Sequence, residues 1–146
     1  MLWLAISHAE PLSGTVVSVV DGDTLTVFSQ GMAHRVRLAG VEAPKEGQRY
    51  AESSRDHLVR LARGQAATLE CHETDHNKRK ICKVKVQPAS CPTCGHTLDV
   101  GLAQIIAGAA RWCRACAKGQ SEEDRGRYES EEIEARKRRR GLWGLQ

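Results

Sequence analysis

The amino-acid sequence predicts an α+β, mainly β domain: a five-stranded barrel carrying three helices. Three observations lead there. Short β-branched runs recur through the first two thirds of the chain and are separated by turn residues. Other stretches switch to the apolar spacing of an amphipathic helix. A chain of 146 residues, 40% hydrophobic and 27% charged, is enough for one core.

Residues 1–11, MLWLAISHAEP, place a short apolar run before Ser7-His8-Ala9, a small-residue pattern like that at a leader cleavage site, although no basic segment precedes it. They are expected to be a leader remnant of a secreted or periplasmic protein, or else an ordinary edge segment. No stretch is long enough to span a membrane as a helix. Residues 12–144 are read as one domain. Gly14–Val20 and Thr24–Phe28 are strands joined through Asp21-Gly22-Asp23, a strong hairpin signal. Gln30-Gly31 then turns the chain into a strand over Arg35–Val41, with Val36, Leu38 and Val41 on one side and Arg35 and Arg37 on the other.

Leu58, Leu61 and Ala62 recur at helical spacing within Arg49–Arg63, and Gly64 is the stop. Ala66–Cys71 and Ile81–Val86 are strands again, parted by the polar turn HETDHNKRK. Leu98, Leu102, Ile105, Ile106 and Ala109 mark a second helix, with Thr97 or Asp99 as its cap. Ser121 and Asp124 start a third helix that ends in the basic run Arg136–Arg140, read as a solvated helix end favoured by the macrodipole. Short strands with helices inserted and appended suggest a barrel of the OB type. One Phe, two Tyr and three Trp leave little for a broad base-stacking surface. A net charge of +4 accords with a polyanionic partner without demanding one.

The chemistry is expected around His34–Tyr50, HRVRLAGVEAPKEGQRY. Its strand presents Arg37 and delivers Glu42, Lys45 and Glu46 at its tip. Asp21 and Asp23 sit at a hairpin tip that can approach Glu42, and three such oxygen donors are what a hard cation like Ca²⁺ requires. Asp-Gly-Asp by itself is more often a plain turn. Arg37, with Arg79 after a charged turn, would grip a phosphodiester bidentately beside the metal.

The segments VVDGDTLTV, RLAGVEAP, GQRYAESSRDHL, TDHNKR, DVGLAQIIAGAARW and RRRGLW, in this order, resemble the staphylococcal nuclease (thermonuclease) family. The resemblance runs from Leu12 to Trp143. It implies an OB-fold nuclease that uses Ca²⁺ to hydrolyse DNA or RNA, single-stranded nucleic acid being the partner. By the family's pattern Asp23 ligates calcium with Asp21 beside it, Glu42 stands where the family has Asp, and the Ala43 carbonyl adds a ligand. Arg37 holds the scissile phosphate and Arg79 stabilises the transition state. The chain departs from the family at Lys45, which stands where the family carries its general-base Glu. Losing a positioned base costs about 10²–10⁴ in rate. Glu46, one residue on, is the provisional substitute, and Lys45 is itself a base candidate should it lose its proton. Lys78 also replaces the usual Gly before Arg79. A non-catalytic nucleic-acid-binding OB module and a zinc-organised interaction domain are the alternatives.

Cys91-Pro-Thr-Cys94 and Cys113-Arg-Ala-Cys116, 18 residues apart, match the spacing of a structural zinc site of four thiolates. The first pair belongs to an inserted loop near residues 88–97. Two disulfides or inert thiols are the alternatives, and export would favour disulfides. Cys71 and Cys82 lie roughly opposite each other on neighbouring strands, either as a cross-strand disulfide or as two small core residues.

Overall fold

The computed structural model describes residues 11–145, so the expectation about the opening segment falls almost wholly outside it. The first three strands form the expected meander: β1 (Leu12–Asp21), β2 (Thr24–Ser29) and β3 (Met32–Leu38). β1 pairs antiparallel with β2, and β2 with β3. Two register irregularities, between Val16 and Ser18 and between Val19 and Asp21, coil β1. They explain why its buried valines, Val16 and Val19, are three residues apart rather than two. A strand bent in this way pairs with β2 and also, at its start, with β5 (Ala66–Thr74).

β5 and β6 (Lys80–Val86) form the second hairpin. β6 then runs parallel to β3, with Val36, Arg37 and Leu38 opposite Lys80, Ile81 and Cys82. That pairing closes the circuit β3-β2-β1-β5-β6 into a barrel. Its interior is filled by Val16, Leu25, Val27, Val36, Leu38, Leu69, Val84 and Val86, all essentially inaccessible.

The predicted continuous strand Arg35–Val41 is broken. Gly40 takes a positive φ of 70°, and a Cβ there would lie 2.3 Å from the Gln120 side chain. The chain therefore turns and restarts as β4 (Val41–Glu42), which pairs with β8 (Arg111–Trp112) in a separate two-stranded sheet. Helix α1 (Ala51–Ala62) buries Ser54, Leu58 and Ala62 and stops at Gly64.

A two-residue strand β7 (Leu98–Asp99) leads into α2 (Val100–Ile106), shorter than its apolar pattern suggests because Gly108 adopts φ +68°. Of the two candidate caps Asp99 is used: its Oδ1 accepts from Leu102 N–H at 3.1 Å. Ser121 caps α3 (Glu122–Lys137) by accepting from Asp124 N–H. At its end Arg136 and Arg138 pair with Glu132 and Glu134 four residues earlier, and Arg136 also covers Trp143.

The cysteines do not form the expected zinc site. Cys91 bonds Cys94 and Cys113 bonds Cys116, each C-x₂-C closing on itself, and Cys71 bonds Cys82 across β5 and β6. Among the described residues no cysteine is free. Oxidised sulfurs carry no thiolate charge, so four thiolates cannot form a zinc shell.

Tyr128, fully buried on α3, donates its hydroxyl to both Asp99 carboxylate oxygens (2.9 and 2.8 Å), tying α3 to the cap of α2. Burial pushes the Asp99 carboxyl above its ordinary range, against the Leu102 N–H and Tyr128 hydroxyl that favour its charged form. Tyr128→Phe removes the donor and is expected to cost about 1–3 kcal/mol in urea unfolding.

Candidate active site

The hairpin tip between β1 and β2 is seated rather than loose. Gly22 lies against α1 so closely that a Cβ would fall 1.8 Å from Ser54 Oγ and 2.8 Å from the Ala43 Cβ. Buried Gln104 of α2 donates its amide to the carbonyls of Gly22 (2.8 Å) and Ser54 (3.0 Å). Only glycine fits between the two aspartates, and both helices hold the tip in place.

Asp23 is completely buried. Its Oδ1 accepts from Thr24 Oγ1 at 2.8 Å; its Oδ2 accepts from Ala43 N–H at 2.9 Å and from the Lys45 ammonium at 2.7 Å. Asp21 accepts the Asp23 N–H at 3.0 Å, and its second oxygen stands 3.7 Å from the same ammonium. Burial alone would raise both carboxyls. For Asp23 the contact with Asp21, the Ala43 N–H and Lys45 outweigh it and hold the carboxyl below the usual range. Asp21 is raised, by its burial and then by Asp23 beside it.

The arginines reach the same corner. Arg37 is the register partner of Thr24. Its Nη2 donates to the Val41 carbonyl (3.3 Å) and to Cys116 Sγ (3.5 Å), while its Nε is buried with no partner. Arg79 directs Nη1 toward Thr24 Oγ1 at 3.5 Å. Thr24 therefore links Asp23 to Arg79. Asp75 fixes Arg79 by accepting its backbone N–H (2.9 Å) and its Nε (2.8 Å). Lys78 takes φ +61°, so this turn carries the strain of a left-handed non-glycine residue.

Asp21, Asp23, Lys45, Arg37 and Arg79 thus share one region, whereas Glu42 and Glu46 are both exposed. Glu42 sits on β4 opposite Arg111 in register. Glu46 lines an open depression with Asp21, Gln48 and Arg55. Among the described residues no three His, Cys, Asp or Glu side chains gather in a way that could hold a metal ion. Calcium needs six to eight oxygens. Here two carboxylates converge, and three of their four oxygens already accept hydrogen bonds. An ammonium faces the fourth. As folded, these residues do not fit a calcium ion.

The sequence reading missed Thr24, Asp75 and Gln104. Asp75 had a local signal, an Asp opening a charged turn four residues before Arg79. Gln104 had none, because a polar residue on a short helix reads as solvent-facing.

The signature of the family described as "Staphylococcal nuclease homologue" matches residues 35–144. The chain belongs to this family. It is 33% identical over 132 residues to the "Micrococcal nuclease" of Shigella flexneri, covering 89% of this chain and 72% of that protein. It is 28% identical over 138 residues to an "Uncharacterized endonuclease" of Escherichia coli O157:H7, covering 90% and 77% respectively. "Protein ParB" of Escherichia coli is 29% identical over 132 residues, covering 90% and 72%. Family membership accounts for the closed barrel with three helices.

Asp75 supplies a pH test. Burial favours its neutral form, but the hydrogen bonds and charge of Arg79 outweigh this and hold the carboxyl below its ordinary value of 3.8. A depressed carboxyl stabilises the fold above its unfolded-state pKa, and that contribution is lost as pH falls through the folded-state value. Asp75→Asn is therefore expected to lose up to about 1 kcal/mol at neutral pH. The gap in melting temperature from wild type should narrow as the pH drops below 3.8.

Proposed function

We propose that the chain is a nuclease that grips a phosphodiester of single-stranded DNA or RNA with Arg37 and Arg79 and hydrolyses it. The observation that carries this reading is the meeting of both guanidinium groups at Thr24, beside the aspartates: Arg37 is its register partner and Arg79 Nη1 points at its hydroxyl. Two guanidiniums at one corner can hold phosphate oxygens through charge-assisted bonds. Arg79, braced by Asp75, would balance the negative charge that grows on the phosphate in the transition state. Glu46, on the wall of the depression that includes Asp21, is the carboxylate proposed to take the proton of the attacking water. Lys45 is not assigned that role, since an ammonium paired to two carboxylates has no lone pair to accept a proton. The family resemblance implies calcium, but the residues as folded do not fit it and no step is assigned to the ion. Three disulfides suit an oxidising compartment, in keeping with export. No helix among the described residues is long and apolar enough to cross a membrane.

A second reading has its own support. Lys45 at the family's base position favours a module that binds nucleic acid without cutting it. Cleavage and anisotropy assays on end-labelled single-stranded DNA and RNA, with calcium and with chelator, separate the two. If the chain is a nuclease, Arg37→Ala and Arg79→Ala should each lower cleavage about 10²–10³-fold. Each should also flatten the salt dependence of binding by roughly one charge. Binding with no cleavage under either condition would leave the second reading standing. Both readings fall if Arg37→Ala changes neither quantity.

A further inference from the structure

We propose that the Lys45 ammonium is the resident cation of this site, seated between Asp21 and Asp23 in place of a divalent ion and completing, with Arg37 and Arg79, a metal-free seat for a phosphodiester. This rests on the reading of the site as phosphodiester-binding and goes beyond it in naming what neutralises the carboxylates.

The ammonium is built in. Asp23 Oδ2 receives both the Ala43 N–H and, two residues later, the Lys45 Nζ, so the loop is tied to one buried oxygen at two points. The backbone of Lys45 is fixed as well: its N–H donates to Gln48 Oε1 at 2.8 Å, and its carbonyl accepts the Gln48 N–H at 2.9 Å. Held at both ends, the side chain has little freedom to leave the aspartates.

The charges also balance. Asp23 is inaccessible to water, so its carboxylate needs a cation within the protein, and Lys45 supplies one at 2.7 Å. A dication in the same place would meet an ammonium already bonded to its ligands. An ammonium carries three donors. One goes to Asp23 and one faces Asp21, which leaves a third. With the lysine side chain half exposed, that N–H is open to a phosphate oxygen from solvent. The lysine thus pairs with the carboxylates on one side and offers a charge-assisted donor on the other.

The test titrates CaCl₂ into metal-stripped wild type, Lys45→Glu and Lys45→Gln, followed by calorimetry and melting temperature. Binding of labelled single-stranded DNA is measured in parallel, in EDTA and in CaCl₂. Wild type should give no saturable calcium heat and no calcium-dependent melting shift, and should bind DNA equally with and without EDTA. Lys45→Glu should gain calcium binding, with a melting rise of roughly 5–10 °C at a hundredfold excess over Kd. Lys45→Gln should bind DNA in EDTA at least about tenfold more weakly than wild type.

Saturable calcium binding by wild type, loss of its DNA binding in EDTA, or undiminished binding by Lys45→Gln would each overturn the proposal. Should Lys45→Glu fail to fold by circular dichroism, the wild-type and Lys45→Gln measurements decide the matter. If wild type binds no nucleic acid at all, the nuclease and binder readings fail together, and calcium titration of the free protein still judges whether the seat excludes the ion.

Discussion

The carboxylate of Asp23 is the joint on which this site turns. It is sealed from solvent, and burying an ion is tolerable only when its oxygens are fully engaged. Three donors from two pieces of chain engage them: the neighbouring Thr24 hydroxyl, and from the loop after β4 the Ala43 N–H and the Lys45 ammonium. The same Thr24 hydroxyl receives Arg79 from the far end of the β5–β6 turn. One buried charge therefore gathers the first hairpin, the loop after β4 and the second hairpin.

A buried anion must be matched, but the fold does not dictate by what. A metal ion and an ammonium both satisfy two carboxylates, yet they make different demands on the surroundings. A calcium ion needs six to eight oxygens around it. An ammonium needs only a few acceptors and brings a flexible stem, which here reaches in from an exposed loop anchored by Gln48. The exposed positions of Glu42 and Glu46 accord with the lighter demand, since a site that already has its cation does not draw further carboxylates inward.

The disulfides contribute to order elsewhere. Cys71–Cys82 clamps β5 to β6 beside the irregularity between Cys71 and Glu73, close to the turn that presents Arg79. Cys113–Cys116 closes the turn after β8 and brings Cys116 Sγ to the Arg37 guanidinium. A disulfide constrains the unfolded chain less the shorter the loop it closes, so by this route the two C-x₂-C bonds contribute least.

Much of the barrel was legible from local pattern alone. The Asp-Gly hairpin, the period-two burial of β2 and β3, the Gly64 stop and the Ser121 cap all depend on residues within a few positions of one another, where periodicity and turn chemistry act directly. The ordered motifs also singled out Arg37, Arg79, Asp21 and Asp23, side chains that the fold carries to one corner, together with Glu42, which it leaves exposed on β4. The break at Gly40 was hidden, because the strand that follows it pairs with β8, far along the chain, and not with its sequence neighbours. The identity of the cation between the aspartates and the pairing of the sulfurs were hidden for the same reason. Spacing could name four cysteines as candidates, and the family resemblance one lysine. Which sulfur bonds which, and whether an ammonium reaches two carboxylates more than twenty residues back, is decided by distances across the fold, and only the tertiary structure brings those atoms together.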